Sequence, residues 1–462
     1  MKIVLFGTGQ YYQKKKKQLK ILNAVEIIAF LDNSASLWGK QLDGVMIYNP
    51  ISIQCIEYDY VIIMSELYSN AMKEQLKTCG VLEKKILDFD TFVFQQGKGN
   101  IQIYLPTKVE SCQNKVLFIT SSLDYVGGIL AVLYAALACK ELGYMPVVMA
   151  PEGNENLIEE YRTKGITFCL YYNLCREAVE NFFWLKDFSI IFVNTFQMKS
   201  CVEILGKEYH MIWWIHEPVA IYESYKELCK EFPSEILERV SVYSVTSYAK
   251  KNFQKYFPKI NSDILTLGIP DTYCKKDVCE IREKKLIFAV IGVITYGKGH
   301  DLLLKAMEIE KLSQFNSVEY WFIGAFENDF AKKILASAEN KKNIKILGQK
   351  TRKEMEQLYS QIDVVIVCSR EETLSIVAIE AMMYEKVCIV SDACGIIDYL
   401  TGKEKELVYH KDSIEELADK ILWCINNKKE LKRIGKEARS IYEQEFSMEV
   451  FKKRLNGVLE KL

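Results

Sequence analysis

Ser369-Arg370-Glu371-Glu372-Thr373-Leu374-Ser375-Ile376-Val377-Ala378-Ile379-Glu380-Ala381-Met382-Met383 is the stretch whose reading decides the fold. An apolar run at 363–368 precedes it and reads as a buried strand; a polar loop follows, and a helix is expected to begin near Leu374. In doubly wound sheets ligands bind at the carboxyl ends of strands, where this loop lies. The backbone N–H groups of Thr373, Leu374 and Ser375, with a helix N-terminus behind them, suit a diphosphate. Glu380 is the odd residue: it sits among Ile379, Ala381, Met382 and Met383, where a carboxylate is costly unless hydrogen-bonded. A ribose with two adjacent hydroxyls satisfies both its oxygens, and Glu372, eight residues earlier, is placed to reach a sugar. Taken singly, Glu380 also reads as a solvated or salt-bridged helix residue, and Glu372 as an acid at a helix N-terminus.

Outward from this stretch, short runs rich in Val and Ile recur at 3–6, 26–31, 60–64, 116–120, 146–150, 189–194, 211–215, 242–246, 286–291, 318–323, 344–347 and 386–391. Each is bounded by turn residues and separated from the next by a helix-like stretch, the pattern of parallel sheets covered on both faces. The class is α/β. Polar, turn-rich breaks at about 95–115 and 268–284 divide the chain into units at 1–96, 114–270 and 285–445, with an amphipathic helix over 446–462.

Bulk properties narrow the function classes. With 60 basic and 61 acidic residues the net charge is −1, which argues against a dedicated nucleic-acid binder. No apolar run approaches the roughly 18 residues that cross a bilayer, and the start is too short for a secretory signal. The expectation is a cytoplasmic protein, with peripheral contact at the inner membrane face left open. The 14 cysteines show no zinc spacing. Cys112, Cys139, Cys368 and Cys388 sit in apolar runs and read as core filler.

The C-terminal unit resembles glycosyltransferase family 4. The residues that carry the resemblance are Glu372 and Glu380-Ala381-Met382, the following run with Asp392-Ala393-Cys394-Gly395, and upstream Gly292 with Lys298-Gly299. Phe322-Ile323-Gly324 and Ile346-Leu347-Gly348 lie between. The resemblance implies a GT-B architecture: two Rossmann-like domains with a cleft between them. It implies a retaining, metal-independent transfer of a sugar, of hexosyltransferase type, from a nucleotide diphosphate sugar. It puts Glu380 on the ribose, Glu372 on the sugar and Lys298 on the diphosphate. A UDP-sugar is the favoured donor, with the base undetermined, and no cofactor is required. The acceptor is a glycan, lipid-linked glycan or protein, and surface polysaccharide or glycoconjugate assembly is the expected setting. Many family members carry Arg directly after the first Gly; here that position is Val293, and Arg370 is the candidate substitute.

The middle unit supplies the acceptor side. Gly127-Gly128 precede a helix and permit close backbone approach; they border donor and acceptor in the family, although a plain helix-entry turn reads the same way. Trp213-Trp214-Ile215-His216-Glu217-Pro218 ends a strand in a His and an acid, and the resemblance places His216 at the transferred sugar, the alternative being a packing His beside two Trp. Glu217 is placed at the cleft or as a turn cap, and Asn194 and Thr195 line the cleft.

The first unit opens Gly7-Thr8-Gly9, but Tyr12 stands where a dinucleotide fingerprint needs its third Gly. Asp32-Asn33 is placed to grip a ribose hydroxyl. The unit resembles Rossmann-like modules attached to polysaccharide biosynthesis enzymes, with assembly into an oligomer or complex favoured over nucleotide binding. The Lys14–Lys17 run reads as a solvated helix face. Two other classes stay open: a nucleotide-sugar-modifying oxidoreductase, and a non-catalytic partner that keeps the transferase shape.

Overall fold

A computed structural model describes residues 1–20, 22, 25–96, 101–107, 114–122, 127–174, 176–273, 285–309, 312, 318–326, 328–339 and 341–461. Cys112, the loop 123–126 before Gly127 and most of the break at 268–284 lie outside the described residues. The class is α/β, with two six-stranded sheets and one of eight strands among the described residues. The chain divides into two compact units: 1–107, 121–123 and 149–181 form one; 108–120, 124–148 and 182–462 form the other.

In the first unit the strands Gln41–Leu42, Val45–Tyr48, Glu26–Leu31, Lys2–Phe6, Tyr60–Ile63 and Ile86–Asp88 lie side by side in that order, parallel except for the first pair. Alternation along a strand sends Ile3 and Leu5 to one hydrophobic core and Val4 and Phe6 to another. Tyr12 is buried in the former: its ring packs edge-on to Phe30 at 4.9 Å and its hydroxyl donates to Asp43 at 2.8 Å. The place of the third fingerprint Gly is therefore filled by a core aromatic.

Asp32 also departs from expectation. Its carboxylate accepts from Thr8 N (3.0 Å), Thr8 Oγ1 (2.6 Å) and Ser34 N (2.9 Å), so it closes the turn instead of standing ready for a ribose. Asn33 pairs with Gln75. In the lysine run, Lys15 pairs with Glu152 and Lys16 with Asp43. The break at 95–115 holds a short strand, Gln102–Tyr104, antiparallel to Thr167–Leu170 of the same unit.

The second unit carries two parallel sets. One has Asp263–Ile264, Val240–Ser244, Met211–Ile215, Ile190–Asn194 and Lys115–Ile119 as successive neighbours. The other runs Ile344–Gly348, Val318–Ile323, Leu286–Ile291, Val364–Val367, Val387–Ser391 and Val408–Tyr409. In the latter the chain order reverses between Leu286–Ile291 and Val364–Val367, and such a switch point opens a crevice at the strand ends. The helix Met448–Leu459 buries Phe451, Leu455, Val458 and Leu459 on one face. Phe451 stacks on Trp214 at 6.1 Å, and Lys452 bridges to Glu141 on the helix Gly127–Glu141 at 2.7 Å.

The turn after Leu286–Ile291 has one strict steric demand. Gly299 has φ +70°, and a Cβ there would lie 2.0 Å from the carbonyl oxygen of Cys368. Gly299→Ala must displace backbone and should lower the unfolding free energy by about 2 kcal/mol or more, read by denaturant titration. A variant of unchanged stability would show that the close approach of the two strand ends is not fixed.

Candidate functional site

The two strand ends at the switch point are tied together directly. Gly292, at φ +136°, opens the turn after Leu286–Ile291, and the stem of Lys298 lies against it. From the neighbouring strand, Arg370 N–H donates to Gly297 O at 2.7 Å and the Cys368 thiol to Lys298 O at 3.2 Å. These bonds deliver the Lys298 ammonium 2.8 Å from Glu372 Oε1, while Ser369 Oγ donates to Glu372 Oε2 at 2.7 Å. Burial works against the lysine's charge, but the Glu372 carboxylate outweighs it and holds the ammonium above its ordinary pKa. A narrow recess here is lined by Ile291, Lys298, Cys368, Ser369, Glu372 and Ser375.

The helix behind the loop is Ile376–Met383, starting two residues later than expected because Ser375 is its N-cap, accepting from Ala378 N. Leu374 is buried, with its neighbours Thr373 and Ser375. Glu380 is partly satisfied from within the protein: Tyr359 OH donates to its Oε2 at 2.9 Å. Burial still raises its pKa, with the tyrosine offsetting part of the effect. Sequence reasoning missed Tyr359, which lies 21 positions upstream with no motif to mark it.

Around Glu372 the loop is strapped to the strand ends of the other set. Thr373 Oγ1 donates to His216 O at 2.6 Å, and Thr246 Oγ1 donates to Thr373 O at 2.8 Å while capping the helix Ser247–Tyr256. Glu371 accepts from Val219 N at 2.6 Å and Ala220 N at 3.3 Å. Glu371 and Thr246 are site residues that the sequence did not single out; the acidic doublet Glu371-Glu372 was the only available signal.

Arg370 does not act as a spare cation. It holds Asp301 through both terminal nitrogens (2.9 and 2.8 Å), donates to Tyr296 O at 2.6 Å, lies 2.8 Å from Asp412 and stacks on the Tyr296 ring. It is consumed in holding the turn. Val293 is half exposed.

His216 is buried edge-on to Trp214 at 4.5 Å, and burial lowers its pKa to about 3, so it is a neutral imidazole at pH 7. Its Nε2 has no hydrogen-bond partner among the described residues. Glu217 points inward, accepting from Phe196 N and His216 N at 2.8 Å each. It fixes the His216 backbone, and burial pushes its pKa up to about 7 against those donors. Gly127 faces Ile376, and a Cβ on Gly128 would make only ordinary contact with His216 and Thr195, so protein packing alone does not require glycine there. Cys139, Cys368 and Cys388 are buried.

Comparison with known proteins places these features in context. Residues 275–441 match the model of glycosyl transferases group 1, and residues 1–87 that of the C2185-like N-terminal domain. An uncharacterized glycosyltransferase of Methanocaldococcus jannaschii is 25% identical over 174 residues, 37% of this chain and 47% of that protein. An uncharacterized 41.2 kDa protein in the cps region of Klebsiella pneumoniae is 28% identical over 127 residues, 27% of this chain and 33% of that protein. The chain thus spans about a third to a half of the length of these curated relatives. Among solved structures, Anabaena HepE in complex with UDP and glucose superposes with TM-score 0.65 at 15% identity, over 76% of this chain and all of that one. WaaG, a glycosyltransferase involved in lipopolysaccharide biosynthesis, gives 0.54 at 15% identity, over 74% and 99%. The fold is therefore that of GT-B glycosyltransferases with an additional N-terminal α/β domain. Among the described residues no helix is long and apolar enough to cross a membrane.

His300, next to the Lys298-Gly299 turn, is fully buried against Phe322, and neither ring nitrogen has a partner among the described residues. Burial, and then the charge of Lys298, lower its pKa to about 4. The unfolded chain takes up a proton near pH 6.5 and the folded chain only near 4, so stability falls as pH drops across that window. In His300→Phe that loss should shrink by about 2 kcal/mol between pH 7 and pH 5, as measured by urea unfolding at each pH. An unchanged pH slope would mean that the imidazole is hydrated in solution.

Proposed function

Starting from a chain that carries a group 1 glycosyl transferase domain behind a C2185-like N-terminal domain, we propose that it transfers a sugar, with retention, from a nucleotide diphosphate sugar to an acceptor hydroxyl. The observation that carries this reading is the Lys298–Glu372 pair at the switch point, one loop away from the capped N-terminus of the helix that holds Glu380. Donor and acceptor halves are assigned to 285–445 and 114–270, with the helix Met448–Leu459 returning to the latter.

In this reading Glu380 takes the ribose hydroxyls through the oxygen that Tyr359 leaves, and Lys298 with the N–H groups around Ser375 takes the diphosphate. Gly292 lets the phosphates approach the backbone. Glu372 binds hydroxyls of the transferred sugar, and neutral His216 faces the reacting centre. The bond from the anomeric carbon to the diphosphate breaks while the acceptor oxygen bonds to the same face. The acceptor proton passes to a diphosphate oxygen, and the nucleoside diphosphate leaves. Lys298 stabilises charge that grows on the leaving group, the kind of interaction that raises turnover rather than mere affinity.

A UDP-sugar is the proposed donor, supported by solved relatives of the same fold, Anabaena HepE among them in complex with UDP-glucose. A hexose is proposed on the UDP-glucose bound to HepE, and a role in capsule or lipopolysaccharide assembly on the settings named for the Klebsiella relative and for WaaG. The N-terminal domain is proposed to serve assembly: Asp32 and Tyr12 are both committed to its own packing.

A thermal-shift screen with UDP-, GDP- and dTDP-sugars should show stabilisation by a UDP-sugar, about 2.7 kcal/mol at a hundredfold excess over Kd. Lys298→Ala should cut UDP release by about a hundredfold or more while the melting curve stays cooperative. No shift with any donor, or full turnover in the variant, would refute the assignment.

A further inference from the structure

A second switch point lies in the other strand set. From Lys115–Ile119 the chain proceeds to Met145–Ala150 on one side, while Ile190–Asn194, Met211–Ile215 and Val240–Ser244 follow on the other. The carboxyl ends at that reversal carry Thr120 and Asn194-Thr195, the position at which such sheets bind ligands.

Three buried side chains there hold polar atoms without a hydrogen-bond partner among the described residues: Asn194 Oδ1, Thr195 Oγ1 and His216 Nε2. The residues are 1%, 5% and 9% exposed. They share a neighbour. Asn194 Nδ2 donates to Gly128 O at 3.0 Å and to Thr120 Oγ1 at 3.3 Å, which fixes the amide and leaves its carbonyl oxygen unused. The Cβ position of Gly128 lies 3.6 Å from His216 Cβ and 3.9 Å from Thr195 Cγ2. If packing were the only task, Val at 195 would fill similar volume and leave no hydroxyl unpaired.

The backbone of Thr195 is independent testimony. It sits at φ 76°, ψ 152°, a region that glycine occupies almost alone. Its N–H donates to Trp214 O and its carbonyl accepts from Trp213 Nε1, both at 2.9 Å, so the conformation is enforced from both sides. Strain held this way at a strand end, with an unpaired hydroxyl, marks a residue kept for what the hydroxyl binds.

We propose that Asn194 Oδ1 and Thr195 Oγ1, beside His216 Nε2, form a cradle that hydrogen-bonds the hydroxyls of a pyranoside. An amide oxygen, a hydroxyl and a neutral imidazole together accept and donate as a polyol requires. The inference rests on the transferase reading above, and the pyranoside is either the donor's sugar or the acceptor; the chemistry of recognition is the same.

The test titrates UDP, UDP-glucose and, in the presence of UDP, methyl α-D-glucopyranoside into wild type, Thr195→Ala, Thr195→Ser and Thr195→Gly. UDP should bind all four alike. Thr195→Ala and Thr195→Gly should weaken one sugar probe by about 3- to 10-fold, and Thr195→Ser, which keeps the hydroxyl, should stay near wild type. UDP-glucose as the affected probe assigns the cradle to the donor sugar; the methyl glucoside assigns it to the acceptor. Thr195→Gly should also melt higher than wild type, because it relieves the strain; a purely structural threonine would melt lower on replacement. The cradle is overturned if both sugar probes bind Thr195→Ala as they bind wild type, or if wild type gains nothing from either sugar over UDP. Failure of wild type to bind UDP at all would contradict the donor assignment instead.

Discussion

The ammonium of Lys298 and the carboxylate of Glu372 meet at 2.8 Å across the point where the sheet reverses its strand order, and the rest of the site is arranged around that contact. The two residues come from turns after adjacent strands. Those turns are drawn together by Arg370 on Gly297, Cys368 on Lys298 and the tight approach of Gly299. A part-buried pair of this kind gains little net stability, because desolvation offsets much of the attraction. Its consequence is placement: a cation held still at the strand ends, its charge compensated by Glu372.

The strap that carries Glu372 continues the same logic. Its neighbours Glu371 and Thr373 bond to the backbone of Val219 and His216, so the residue assigned to the sugar and the imidazole assigned to the reacting centre are fixed in one frame. Two further carboxylates show how surroundings separate roles. Glu217 is saturated by backbone N–H groups and serves as a brace. Glu380 receives one tyrosine hydroxyl, and burial raises its pKa. Ligand hydroxyls bound there would favour its charged form.

Much of the fold was legible in the sequence because buried parallel strands are written as continuous apolar runs. All thirteen such runs are strands, with ends displaced by one or two residues where they differ. The seven additional strands among the described residues, such as Gln41–Leu42 and Asp263–Ile264, are two to four residues long and lie toward sheet margins, too short for a period to show. At the site, Glu380 was marked by its odd apolar setting and Lys298 and Glu372 by the family resemblance; the structure brings the latter two together. Tyr359, Thr246 and Glu371 were not marked, since their importance comes from contacts formed only on folding. Arg370 and Asp32 show the converse: residues of suitable chemistry at suitable places, already spent on Asp301 and Thr8.

If Lys298 is the diphosphate's cation, then Glu372 competes with the diphosphate for it in the empty site. Titration calorimetry of UDP against wild type and Glu372→Gln tests this most directly. Freed from its partner, the ammonium should bind UDP at least as tightly, by a factor of about 2 to 10, even as sugar transfer slows. A substantial loss of UDP affinity in Glu372→Gln would contradict the central claim, because it would mean that the carboxylate supports the diphosphate site instead of contending for its charge.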